Sequence, residues 1–320
     1  MSRPVSALAF LMVFAAARVA SADPSSTSPE QGYDLGDIQH PRGLSMGGAQ
    51  VATGTSTSAV LYNPANLPFS RVYHFEGLAA WSPEARRQSY GGAVADSSTS
   101  KITGGLGGTW SVMDPDGAKR TWIDLRVAAA YPLGDKLAIG IAGRYLRLEA
   151  PPGFGPFGGS RVSGGTPDGA AFNRITFDAG LTVAPIEGLK IAVLGRNLTN
   201  PGSSYAPTVL VGGVGYAASV FAIESDFLVD FTTFGTAKTR TMVGGEVFIA
   251  DHFPIRLGYR YDDGMKLHSA SLGLGYVDKK FSVELSGRRD LASNPATMIS
   301  LGLRYFYENA AAHEDPQPEF

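Results

Sequence analysis

From about residue 71 to residue 307 the chain repeats one pattern: runs in which apolar residues alternate with polar or small ones, broken by turn residues. A period of two is the mark of a strand with one apolar and one non-apolar face. Ile123, Leu125, Val127, Ala129 and Tyr131 oppose Asp124, Arg126, Ala128 and Ala130. Ile139 and Ile141 oppose Ala138, Gly140 and Ala142, and Arg144 continues the second face. Ile255, Leu257, Tyr259 and Tyr261 oppose Arg256 and Arg260, and Leu301, Leu303 and Tyr305 oppose Ser300, Gly302 and Arg304. Fourteen strands are expected, at about 71–81, 86–95, 101–112, 120–132, 136–149, 175–184, 189–199, 207–216, 220–232, 238–250, 253–261, 267–277, 281–289 and 297–308. Gly212-Gly213 is expected to bulge the eighth.

Most of these runs reach the ~9–11 residues that a tilted strand needs to cross a bilayer. Aromatic residues sit near their ends: Tyr73, Trp81, Trp110, Tyr131, Tyr145, Tyr216, Tyr276, Tyr305 and Tyr307. Tyr and Trp favour the headgroup level, where one end of the ring is apolar and the other wet. Backbone can span lipid only where every polar group is paired, and a closed barrel does that with strands. The expected fold is therefore all-β: an antiparallel transmembrane β-barrel of about 14 strands. A soluble β-sandwich also alternates, but it has no reason to place aromatics in two belts.

The first residues fit a secretory leader. Arg3 is basic, residues 7–17 are apolar, and Ala20-Ser21-Ala22 is a small-residue cleavage pattern. The apolar run is too short to span ~30 Å of hydrocarbon as a helix. We expect residues 1–22 to be a signal peptide, 23–70 an N-terminal extension with a lumenal insert, 71–308 the barrel and 309–320 a polar tail. The address is then the bacterial outer membrane, with its lipid as one partner.

Connections after even-numbered strands are short and those after odd-numbered strands tend to be longer. Outer-membrane barrels have short periplasmic turns and longer external loops, so both termini are expected in the periplasm. The longest connection, residues 150–174, carries Phe154, Phe157 and Phe172 on a Gly/Pro-rich background, a candidate capture loop for an apolar ligand.

Residues 42–67 read RGLSMGGAQVATGTSTSAVLYNPANL and alternate like no strand. Gly47 and Gly48 limit any helix there, and Asn63-Pro64 is a turn signal. The small residues suit a compact insert that fits inside something. Gly43, Gly47, Gly48 and Gly54 are expected to lend it flexibility.

Its form, RG…GGA…A…SAVLYNPA before a fourteen-stranded barrel, resembles the FadL/TodX-type outer-membrane transporters. The matching positions are Gly43, Gly47, Ala49, Ala52, Ser58, Ala59, Tyr62, Asn63, Pro64 and Ala65. The resemblance implies that the insert is a hatch plugging the barrel. It also implies passive uptake of a small hydrophobic ligand, of the long-chain fatty acid or aromatic hydrocarbon type. Asn66 stands where Gly is usual in that family, and the chain is shorter than its typical members. A PorV-type branch shares the Asn-Pro-Ala hatch, and resemblance to it would imply a non-transporting barrel that docks a secreted or periplasmic protein.

Enzymatic chemistry is not expected. The five histidines are scattered without metal-ligand spacing, and no Ser/His pair with an orienting third group stands out. No cofactor motif is present, because the Gly-rich runs lack a following helix. A formal net charge of −2 without a basic patch argues against nucleic acid. The charges on the inward face, among them Arg126, Arg144, Arg256, Arg260 and Arg304, admit two readings. They form a paired network anchoring the insert, or they offer Arg to an anionic head group.

Overall fold

In the computed structural model, the residues described are 37–114, 119–149, 172–201, 206–234 and 236–307. Fourteen antiparallel strands close into one barrel in sequence order. They are β1 Tyr73–Ser82, β2 Arg87–Asp96, β3 Thr103–Met113, β4 Arg120–Pro132, β5 Leu137–Glu149, β6 Phe172–Ile186, β7 Leu189–Arg196, β8 Val209–Ala217, β9 Phe221–Asp230, β10 Lys238–Ile249, β11 Phe253–Asp262, β12 Leu267–Val277, β13 Phe281–Asp290 and β14 Thr297–Phe306. Closure is made by β1 on β14, from His74 opposite Phe306 to Trp81 opposite Ile299. Among the described residues no edge strand is left, so the backbone ladder satisfies itself in an apolar medium.

The alternation sorts side chains by face. Val127, Leu257 and Leu303 point outward and are 63%, 63% and 57% exposed, whereas Asp124, Arg256 and Ser300 on the same strands point inward and are buried. Outward aromatics gather at the ends of the strands. Tyr73 meets Tyr307 edge-on at 5.6 Å, and Tyr276 packs between Phe253 and Phe281 at 5.4 and 5.8 Å, all at the end where β1 begins. Tyr90 stacks on Trp110 toward the other end. These are the two belts that an outward apolar band requires.

Two expectations differ from the structure. β8 is not bulged: it pairs in unbroken register with β7 and β9. A Cβ on Gly213 would lie 2.3 Å from Asp226 Oδ1 and 3.3 Å from the Ala52 nitrogen, so this glycine serves close approach from inside the barrel. The register shift lies instead between Val183 and Ile186 of β6. Pro185 lies in that interval and has no N–H to donate to the ladder. Second, the connection expected at 150–174 is shorter, because β6 already begins at Phe172, opposite Leu148.

The connections at the end where β1 starts, the turn end, include 187–188, 218–220, 250–252 and 278–280. At the opposite, loop end are 150–171 and 197–208.

Candidate functional site in the barrel lumen

Residues 37–70 lie inside the barrel, and nearly all of residues 39–67 are buried. Helix α1 (Pro41–Ser45) starts from His40, whose Nδ1 accepts the Arg42 N–H at 3.2 Å. Pro41 suits the first helical position, where its missing N–H is no loss. The helix stops at Gly47 and Gly48, with φ of +70° and +98°. A Cβ on Gly47 would lie 2.5 Å from the Tyr259 carbonyl oxygen of β11. Gly43 is pressed on the Tyr62 ring, with its would-be Cβ 2.0 Å from the hydroxyl. These glycines are points of contact and of left-handed backbone, not the loose joints expected.

Wall side chains satisfy the segment's backbone, as buried amides and carbonyls require. Ser271, Ser286 and Ser300, on β12, β13 and β14, donate to the carbonyls of Ser45, Pro41 and Gln39 at 3.0, 2.7 and 2.6 Å. Four successive N–H groups then turn to two carboxylates of β9. Gln50 and Val51 donate to Asp226 at 2.9 and 3.0 Å, and Ala52 and Thr53 donate to Glu224 at 2.5 and 3.1 Å.

Helix α2 (Ser56–Leu61) follows, its start closed by the Thr55 N–H donating to the Ser58 hydroxyl at 2.9 Å. Ser56 meets His74 Nδ1 at 2.6 Å, and Thr57 donates to Glu76. Asn63 caps the 3-10 helix Pro64–Phe69 by accepting the Ala65 N–H at 3.1 Å. Its amide donates to the Val51 carbonyl at 2.9 Å and to Thr182 of β6 at 3.1 Å. Asn66 donates to the same carbonyl at 3.0 Å and accepts from Thr182 at 2.7 Å. Asn-Pro-Ala-Asn is thus a double amide clamp on one wall hydroxyl. Gly140 and Gly180 make room for it, since their would-be Cβ atoms lie 2.3 Å from the Ala65 nitrogen and 2.1 Å from Asn63 Oδ1.

The five arginines predicted in the lumen all face inward, in four groups. Arg126 and Arg144 hold Asp124 at 2.8 and 2.7 Å, and Arg144 also bonds Asn197 at 2.8 Å. Arg256 bridges Glu246 and Glu284, and Arg42 of the lumenal segment holds Glu246 at 3.0 Å. Arg304 joins His40 on Glu76, at 3.3 and 3.0 Å. Arg260 meets Asp37 at 2.7 Å, where Arg240 and Arg288 also converge at 3.1 and 3.3 Å. Burial alone would raise the Asp37 carboxyl, but Arg240, Arg260 and Arg288 outweigh it and hold it well below the usual carboxylate range.

Asp37, His40 and Arg240 were not singled out from the sequence. Nor was an apolar patch on the inner face near the loop end, where Met113 of β3, Trp122 of β4, and Leu146 and Leu148 of β5 are fully buried together with Ala206. Phe154 and Phe157 lie outside the described residues. Phe172 falls on β6 and its side chain is likewise outside them.

With this geometry in hand, the comparison with solved structures is decisive for the fold. The structure superposes on the CymD monoaromatic hydrocarbon channel with a TM-score of 0.62 at 13% identity, over 84% of this chain and 97% of that one. A Pseudomonas aeruginosa FadL homologue gives 0.60 at 13%, over 84% and 98%. The chain has the FadL-type outer-membrane transporter fold. The Ralstonia pickettii toluene transporter TbuX adds a TM-score of 0.57 at 16% identity, over 84% of this chain and 97% of that one. No protein-family model and no curated relative matches the chain. At these identities the FadL-type likeness rests on backbone architecture.

Proposed function

We propose that this chain is a hatch-plugged outer-membrane barrel for passive uptake of small hydrophobic molecules. The observation that carries the reading is the placement of residues 37–70 inside a closed fourteen-stranded barrel, so that a solute crossing the lumen must pass that segment. The apolar cluster of Met113, Trp122, Leu146 and Leu148 at the loop end is fully covered, so a guest meets it only when a neighbour moves. Burial of apolar surface against it is then favourable by roughly 25 cal/mol per Å². Residues 37–70 act as the hatch, and the short turns lie on the periplasmic side with both termini.

Among the structures that share this fold are a monoaromatic hydrocarbon channel and a toluene transporter, which supports a hydrophobic substrate. The PorV-type docking alternative draws no support from them. The test is uptake of toluene into liposomes carrying the protein, against empty liposomes. Leu146→Asn, which puts an amide in the apolar patch, is expected to cut the rate several-fold with the barrel still folded. Equal rates for both proteins and for empty liposomes would overturn the reading.

A further inference from the structure

The outer wall of the barrel is not evenly clad. Gly77 of β1 pairs with Gly92 of β2, and Gly92 pairs with Gly108 of β3. The outward row that starts at Leu303 of β14, opposite Gly77, therefore loses its side chains over three neighbouring strands. The result is a groove of about 590 Å³, within the range of small-molecule sites. Gly77 and Gly92 form its floor, and Phe75, Leu106, Leu303 and Tyr305 stand around it. All four point outward and are exposed. A Cβ on Gly77 would meet nothing within 4 Å. The other side of this wall is backed by the lumenal segment: a Cβ on the inward Gly107 of β3 would lie 3.0 Å from Leu61 of α2. Glu76 turns its carboxylate inward, to His40 and Arg304.

Two basic residues stand at the turn end of the same strands. Arg71, just before β1, donates to the Ser98 carbonyl at 3.1 Å, which sets its guanidinium on the connection between β2 and β3. Lys101, on that connection, lies 5.2 Å from the centroid of the Tyr131 ring at the end of β4. Tyr131 points outward at the turn end, the level of lipid head groups. Asp96 is the acidic residue beside them, and its carboxylate accepts the Ser98 and Thr99 N–H groups, both at 3.1 Å. Gly77 stands four residues along β1 from Tyr73. At about 3.4 Å per residue and a tilt of about 40°, the groove floor is about 10 Å below the belt, within one leaflet of a ~30 Å core. Hydrocarbon is the medium at that depth, and an unfilled groove would forfeit the dispersion contacts of its walls. We propose that this groove holds one acyl chain of a membrane phospholipid whose anionic head group is bound by Arg71 and Lys101. A recess across strands stops the chain from sliding sideways, as it would on an evenly clad wall. A guanidinium and an ammonium at its mouth suit a phosphate in a head group of net negative charge. The inference goes beyond the uptake reading and does not depend on what crosses the lumen.

The experiment reconstitutes the full-length protein in bilayer discs of equimolar phosphatidylglycerol and phosphatidylethanolamine with the same acyl chains. The protein is then extracted in mild detergent, and retained lipid is counted by native mass spectrometry. Wild type is expected to keep one phosphatidylglycerol, about fivefold more often than phosphatidylethanolamine. Gly77→Leu puts a side chain into the groove and is expected to lower that occupancy about fivefold. Gly143→Leu is the control. This exposed glycine of β5 also has nothing within 4 Å of its would-be Cβ, but it is not part of the groove, and its variant should retain lipid as wild type does. Arg71→Gln with Lys101→Gln should abolish the preference for phosphatidylglycerol. Heat-modifiable migration shows that each variant is folded, and Gly77→Val takes the place of Gly77→Leu if the latter is not. Wild-type retention in the folded Gly77 variant, an equal loss in Gly143→Leu, or an undiminished preference without the two cations overturns the proposal and leaves only ordinary annular lipid.

Discussion

The Asn63 amide donates to the hydroxyl of Thr182 at 3.1 Å, although 119 residues separate them. That hydroxyl in turn donates to Asn66, so one wall side chain serves both ends of the clamp. Asn63→Ala removes the cap on Ala65 and the bond to Thr182, but Asn66 still reaches the Val51 carbonyl. The loss is expected to be local, about 1–3 kcal/mol. The barrel should keep its heat-modifiable migration, while limited proteolysis should cut the segment 37–70 faster. Gly180→Ala, whose Cβ would lie 2.1 Å from Asn63 Oδ1, should have the same signature without touching the asparagine. Protease resistance equal to wild type in both variants would mean that the clamp does not hold the segment.

Glu224 and Asp226 take four consecutive backbone N–H groups between them. Replacing both by amides, Glu224→Gln with Asp226→Asn, keeps their size but turns one acceptor oxygen of each side chain into a donor, and Glu224 uses both of its oxygens. A buried N–H left without its acceptor costs about 1–3 kcal/mol. The double variant should show more frequent conductance events in planar bilayers than wild type. Either single variant should lie between them. A silent double variant would show that these bonds do not limit movement of the segment.

Leu303 and Arg304 are neighbours on β14 that face opposite ways, one exposed to the outside and one held on Glu76 within. Leu303→Arg places a charge in the apolar band and is expected to cost about 2–4 kcal/mol near the bilayer centre. Its level in the outer membrane should fall sharply. Arg304→Leu breaks a buried pair and should instead lower thermal stability, with the protein still inserted. Normal membrane levels of Leu303→Arg would mean that this residue does not meet lipid.

All fourteen strands were legible because a barrel between lipid and a polar lumen imposes one rule on every strand. The inner apolar patch was not singled out, although the same alternation leads to it. Trp122 and Ile123 are adjacent, and the phase of Ile123, Leu125 and Val127 sends Trp122 inward. The face of Ala142 and Arg144 continues to Leu146 and Leu148. What the pattern could not show is the partner of each lumenal residue. Gln50 meets Asp226 across 176 residues through a backbone N–H, which leaves no mark on residue type. Asp37 is one acidic residue before α1, and only closure of the barrel brings Arg240, Arg260 and Arg288 around it.

The orientation is open to a direct measurement. The connection 150–171 is at the loop end, and Tyr307, followed by the chain's last residues, is at the turn end. An epitope tag inserted between residues 158 and 169 should be labelled on intact cells, and one after residue 308 only after permeabilisation. The reverse pattern would place the turns outside and the inner apolar patch toward the periplasm.

The plug itself can be tested by removal. Residues 37–70 fill the lumen through bonds to β6, β9 and β10 and to β12 through β14, and without them the inner face would keep its ion pairs among strands. Arg144 would still hold Asp124, and Arg256 would still bridge Glu246 and Glu284. The barrel should therefore survive deletion of residues 33–66, because its closure depends on strand pairing and not on the segment. What changes is the path. Wild type should be nearly silent in planar bilayers, whereas the deletion should conduct ions steadily and admit polar solutes that wild type excludes. Toluene uptake should continue in the deletion but lose its preference over a polar solute of similar size. Equal conductance of the two proteins, both shown folded by heat-modifiable migration, would mean that the segment does not block the lumen, and the hatch-plugged reading would lose its ground.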